Sequence, residues 1–277
     1  MTARARSGGS RRRRAGTSTA ARVLVAIPWV VFAILIIHFG GTVFAVALFG
    51  LALVGLHELY TMLRAVRPLP LAGFAGAAGL IFAAAYGDQY QMVLASVGSL
   101  LLAFVLSLTR RDRRHVTLSI AVTMLGVLWV GMALAHAVLL RGLDHGDGLI
   151  VDVLIATFIG DTGAYFGGRT WGTRKLAPRI SPAKTVEGLL AGVLAGTGAF
   201  VLASLYQDWL SATEALAMGV AVSLAAPLGD LFESMIKRDL GVKDSGRFFG
   251  EHGGALDRLD AAFFTVVVGY YVARALL

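Results

Sequence analysis

The densest run of chemically capable residues in this 277-residue chain lies between Gly229 and Asp260. On a helix, Asp230, Ser234, Lys237 and Arg238 are spaced to share a face, offering a carboxylate, a hydroxyl and two cations. Lys243 and Asp244 follow in a loop, and His252-Gly253-Gly254 sets an imidazole on a flexible backbone. Asp257 and Asp260 stand one turn apart on the next helix, with Arg258 between them. Carboxylates for a metal ion and cations for phosphates are the equipment of phosphoryl or nucleotidyl transfer. In those reactions, positioning and charge neutralisation carry most of the catalysis.

Two further segments are polar where their surroundings are apolar. Residues 179–188 read Arg-Ile-Ser-Pro-Ala-Lys-Thr-Val-Glu-Gly. Ser181 suits a helix N-cap and Pro182 a first helical residue. This places Lys184 and Thr185 in the first helical turn, with Glu187 just beyond. Free N–H groups, the helix dipole and a lysine make an anion site; the plainer alternative is capping plus a topological charge. Gly188, Gly192 and Gly196 recur at a spacing that suits close packing against a neighbouring helix. Upstream, Asp161-Thr-Gly-Ala-Tyr165 puts an acid among glycines near a helix end.

The elements that must position these groups are membrane helices. The composition is 57% hydrophobic and 15% charged, where soluble domains carry about 25% charged residues. The apolar residues fall into nine blocks near spanning length, at 20–39, 42–63, 71–87, 90–108, 116–140, 149–166, 186–206, 212–235 and 260–276. The fold class expected is an all-α polytopic bundle of about nine spans. A cytoplasmic N-terminus leaves all but Arg141 and Arg274 of the 25 Lys and Arg residues on the inside, as the positive-inside rule requires. Residues 1–20 read as a basic, disordered cytoplasmic tail, 21–145 as N-terminal helices and 146–277 as the chemically active region. The net charge of +8 therefore reports topology and phosphate handling, not nucleic-acid binding. With no cysteine, disulfides and thiolate metal sites are excluded.

Within this arrangement Glu58, Asp161, Asp230 and Glu233 fall inside spans, where ionisable residues are costly and functional by default. Asp161, Asp230, Asp257 and Asp260 share one depth, just below the cytoplasmic surface. Such a cluster repels itself in a low dielectric. A divalent cation relieves the repulsion, and oxygen ligands suit Mg²⁺. An ion pair with a nearby lysine or arginine is the alternative for any single acid, and Glu233 with Lys237 has the spacing of a helical pair.

The stretch Ser234, Lys237-Arg238, Lys243-Asp244, His252-Gly253-Gly254, Asp257-Arg258 and Asp260 closely resembles the signature of the phosphatidate cytidylyltransferase (CDP-diacylglycerol synthase) family. The segments 161–165 and 181–187 look like the same family, so the resemblance covers about residues 150–277. One departure stands out: Gly250-Glu251 precedes the His-Gly-Gly where the family has Pro-Gly. The resemblance implies a Mg²⁺-dependent, membrane-embedded enzyme of phospholipid biosynthesis that joins CTP to phosphatidic acid and releases diphosphate. It makes Asp230 and Asp257 metal ligands, with Asp161 and Asp260 in support and one or two ions bound. Lys237, Arg238, Lys243 and Arg258 neutralise phosphates. Ser181, Lys184, Thr185, Glu187, Gly253 and Gly254 belong to the substrate site, and His252 binds phosphate or shapes its loop. The expected partners are CTP, phosphatidic acid and the bilayer, and glycine faces are compatible with a homodimer. The expected location is the plasma membrane, with the site facing the cytoplasm. The rival readings are a related transferase with another lipid acceptor, and a cation-coupled transporter. The transporter reading fits poorly, because the acids gather at one end of the spans.

Overall fold

The computed structural model describes residues 19–112, 114–246 and 253–277. Among the described residues ten α-helices follow in order: α1 (Thr19–Phe39), α2 (Gly41–Met62), α3 (Pro70–Tyr86), α4 (Gln89–Leu108), α5 (Val116–Gly126), α6 (Met132–Arg141), α7 (Gly146–Trp171), α8 (Val186–Ser204), α9 (Ala212–Asp239) and α10 (Leu256–Leu276). A π turn over Val127–Gly131 joins α5 to α6, so Val116–Arg141 is one continuous helical stretch. Local sequence sets the starts. Pro70 opens α3, and capping boxes start α4 (Asp88 with Gln91) and α9 (Ser211 with Glu214).

Six of these helices and the continuous stretch Val116–Arg141 are long and apolar enough to cross a membrane, and the chain is a multi-pass, predominantly α-helical membrane protein. The described apolar part of α1 (Val30–Phe39) and α3 are shorter. The Gly/Ala-rich α3 has 17 residues, about 26 Å of helix, against a hydrocarbon core of about 30 Å. Seven helical stretches among the described residues thus meet the length criterion, where nine blocks are expected from the sequence. Side chains such as Leu94, Leu101 and Phe104 project unburied from α4, as a lipid-facing surface allows.

The core runs through the whole bundle, from Ile37 to Ala273. Trp129, from the π turn, packs edge-on against Phe232 of α9 and Phe263 of α10, at centroid distances of 5.0 and 5.9 Å. It ties the first half of the chain to the helices that carry the acids. The glycine row of α8 lies on α7: a Cβ on Gly192 would come 2.8 Å from Ala164 Cβ and 2.9 Å from Gly160 O. Gly229 brings α9 onto α10 in the same way, since a Cβ there would lie 2.9 Å from Ala261 Cα.

One element departs from the expected all-α layout. Between α7 and α8 the chain forms an antiparallel hairpin, β1 (Lys175–Ala177) with β2 (Ser181–Thr185), pairing Lys175 with Thr185 and Ala177 with Ser181. Ser181 is therefore not the N-cap of α8, and Lys184 is not in its first turn. Thr185 is the N-cap, its hydroxyl accepting the Gly188 N–H at 3.1 Å. Thr185 has an extended backbone and a β-branched side chain, and both suit the last position of a strand. Pro182 is tolerated because a two-stranded hairpin has only edge strands.

Candidate active site

A cavity of about 460 Å³ opens between α7, the hairpin, α8, α9 and the start of α10. Asp161, Asp230, Asp257 and Asp260 all line it, together with Lys184 and Thr185. Three helices contribute the acids. Asp161 lies ten residues before the end of α7 and Asp230 nine before the end of α9, about 15 Å of helix in each case. Asp257 is in the first turn of α10. Pro227, one turn before Asp230, cannot donate to the carbonyl of Ser223, and both residues face the cavity.

Charge inside the site is arranged as carboxylate–ammonium pairs. Lys184, from β2, pairs with Asp230 of α9. Asp230 also accepts a 3.2 Å hydrogen bond from Ser234. Lys237 stands between two acids, 2.9 Å from Glu233 Oε2 and 2.8 Å from Asp257 Oδ1. The Glu233 side chain is fully buried. Asp257 is the best-held acid. Besides Lys237 it accepts from the backbone N–H of Gly254 at 2.8 Å and of Ser245 at 3.0 Å. Gly253 turns the chain into this cradle at φ +88°, a conformation that favours glycine.

The remaining predicted residues are distributed around this centre. Arg238 reaches out to the hairpin, donating from Nε to the Ile180 carbonyl at 3.1 Å. Lys243 and Asp244 are exposed in the loop after α9, and Arg258 is exposed on α10. Glu187 braces the end of α7 against α8. Its carboxylate accepts from the Thr173 hydroxyl at 2.7 Å and from the backbone N–H groups of Thr173 and Arg174. Ser181 sits at the start of β2, outside the cavity lining. His252 and the Gly250-Glu251 departure lie outside the described residues. The parts that sequence reasoning missed are the hairpin and the Ser245 amide that helps to cradle Asp257. No local pattern announces either, because both depend on contacts made in the folded chain.

The donor chemistry suits a hard divalent cation, since all four acids in the cavity are carboxylates and no thiolate is present. Among the described residues, no three carboxylates or imidazoles converge as a ligand set. Lysine ammoniums pair with Asp230 and Asp257.

Spanning helices around a cavity lined by four acids and Lys184 make a membrane-embedded site whose charges suit phosphate chemistry. Comparison with known proteins makes the class specific. Residues 20–276 match the model of the Cytidylyltransferase family, and the chain belongs to that family. It is 33% identical over 254 residues to the phosphatidate cytidylyltransferase of Staphylococcus epidermidis, covering 88% of this chain and 95% of that protein. It is also 33% identical over 256 residues to the phosphatidate cytidylyltransferase of Staphylococcus haemolyticus, with the same coverage. A shorter match, 38% identical over 154 residues, is to the uncharacterized protein YnbB of Escherichia coli and spans 54% of this chain and 52% of that one.

Proposed function

We propose that this chain is a phosphatidate cytidylyltransferase, converting CTP and phosphatidic acid to CDP-diacylglycerol and diphosphate. The observation that carries the reading is a cavity, in a family member, lined by four acids from three helices together with Lys184. A volume of about 460 Å³ lies within the range of small-molecule sites, about 300–1,000 Å³. A phosphate oxygen of phosphatidic acid attacks the α-phosphorus of CTP. The bond from that phosphorus to the oxygen bridging to the β-phosphate breaks, and diphosphate leaves with the bonding electrons. The attacking phosphate is already ionised near neutral pH, so the reaction needs no general base.

Catalysis then rests on placing two polyanions together and neutralising them. Lys184 and Lys237, held by Asp230 and Asp257, are presented as ammonium groups of fixed position. Arg238, Lys243 and Arg258 add positive charge around the site for the triphosphate and the departing diphosphate. Asp230 and Asp257, supported by Asp161 and Asp260, would hold Mg²⁺, which supplies charge neutralisation at the phosphates. The fuller topology belongs to the same proposal: nine crossings, the N-terminus in the cytoplasm, and the site opening to the cytoplasmic face of the plasma membrane. There CTP arrives from solution and phosphatidic acid from the leaflet.

The test is a purified detergent preparation given phosphatidic acid, CTP and Mg²⁺, with CDP-diacylglycerol and diphosphate both measured. The expected result is product from the native chain and none from folded Asp230→Asn or Asp257→Asn. Product that persists in both variants refutes the assignment of the site. A folded native chain that makes none refutes the reaction.

A further inference from the structure

Glu58 lies on α2, far in sequence from every acid of the cavity, and it is 6% exposed. Its side chain points at the loop and helix start that carry Asp257. Glu58 Oε2 accepts from the Ser245 hydroxyl at 3.2 Å and from the Leu256 backbone N–H at 3.1 Å. Its other oxygen is buried without a partner among the described residues. Two glycines make room for it. A Cβ on Gly254 would lie 2.7 Å from Oε1, and one on Gly246 would lie 2.6 Å from Cδ.

These contacts interlock with those of Asp257. Ser245 gives its backbone N–H to Asp257 and its hydroxyl to Glu58. Leu256, whose N–H Glu58 takes, is the residue immediately before Asp257. The start of α10 has no side-chain cap of its own, since Ala255 occupies the N-cap position. A carboxylate from another helix fills that role and complements the helix dipole. The second glycine of the Gly253-Gly254 pair is then required by Glu58 as well as by its own loop.

We infer that Glu58 is a positioning residue for the transfer reaction: it fixes the Ser245 and Leu256 backbone and, through them, the place and orientation of Asp257. The inference rests on the cytidylyltransferase reading for its activity arm. Glu58 does not line the cavity, so its effect passes through the cradle and not through contact with substrate. Both donors converge on one oxygen, so an amide oxygen can replace it. The acceptor therefore carries the link, and the carboxylate charge adds only its smaller interaction with the helix dipole.

The experiment compares Glu58→Gln, Glu58→Leu, Ser245→Ala and the Glu58→Leu/Ser245→Ala double variant. It measures kcat and KM for CTP and, independently, amide hydrogen exchange in residues 245–246 and 253–258. Misplacing a reacting group by about 1 Å costs on the order of 100-fold in rate, so Glu58→Leu is expected to lower kcat by about that factor with KM little changed. Glu58→Gln is expected to stay within about tenfold of native. The double variant is expected to lose no more than Glu58→Leu alone, because both changes break the same link. Exchange at Leu256 is expected to accelerate in Glu58→Leu but not in Glu58→Gln. Native kcat in folded Glu58→Leu overturns the proposal. A loss in Glu58→Gln as deep as in Glu58→Leu also overturns it, because the charge and not the acceptor would then matter. If the native chain makes no CDP-diacylglycerol, the reaction reading fails by itself, and unchanged exchange at Leu256 in Glu58→Leu still refutes the link.

Discussion

Lys237 is the ammonium whose removal tests the charge arrangement most directly. It is 15% exposed and stands between a fully buried Glu233 and Asp257. Lys237→Met keeps much of the apolar stem and deletes the charge, leaving two carboxylates with no cation between them. Breaking a buried pair by removing one partner costs about 3–5 kcal/mol. The expected loss is therefore about 3–5 kcal/mol, measured by unfolding titration in mixed micelles. Glu233→Gln in the same chain removes the stranded buried charge, while Asp257 keeps the Ser245 and Gly254 amides. The double variant should recover about half of the loss or more. Its activity should not return with its stability, because the ammonium is still missing. The charge argument fails if Lys237→Met unfolds within about 0.5 kcal/mol of native, or if the double variant is no more stable than the single.

Two smaller perturbations probe the scaffold under the cavity. Thr185→Ala removes the N-cap of α8 and should cost about 1 kcal/mol, whereas Thr185→Ser should cost almost nothing, both read from the same titration. Gly192→Leu drives a side chain into Ala164 and the Gly160 carbonyl. It should cost about 1–3 kcal/mol and lower kcat by shifting Asp161 on α7, while Gly198→Leu, with open space around its Cβ position, serves as the neutral control.

The helices were legible because membrane segments write themselves as apolar blocks. The blocks at 42–63 and 90–108 coincide with α2 and α4 to within a residue. The blocks ending at 166 and 235 stop short of α7 and α9, which run on to Trp171 and Asp239. Apolarity ends where the lipid contact ends, but backbone hydrogen bonding carries these helices past it through residues such as Thr170 and Lys237. The hairpin was illegible for a different reason. Ser181-Pro182 has the chemistry of a helix start, and only pairing with Lys175–Ala177 shows that the true start lies at Thr185.

The site itself was legible as a set of residues but not as a set of pairs. Spacing shows that Lys237 can meet Glu233 on one helix, and it does. Spacing cannot show that the same ammonium also takes Asp257 from α10, or that Asp230 is paired with a lysine from the hairpin. Those choices follow from Gly229, which lets α10 approach α9, and from the strand that carries Lys184 to the cavity. The consequence is mechanistic. A lysine bound to one acid on its own helix is a local ion pair of small worth. A lysine that bridges acids from two helices at a cavity edge is held in place before substrate arrives. Such preorganised charge stabilises a transferring phosphate without the cost of reorganisation during the reaction.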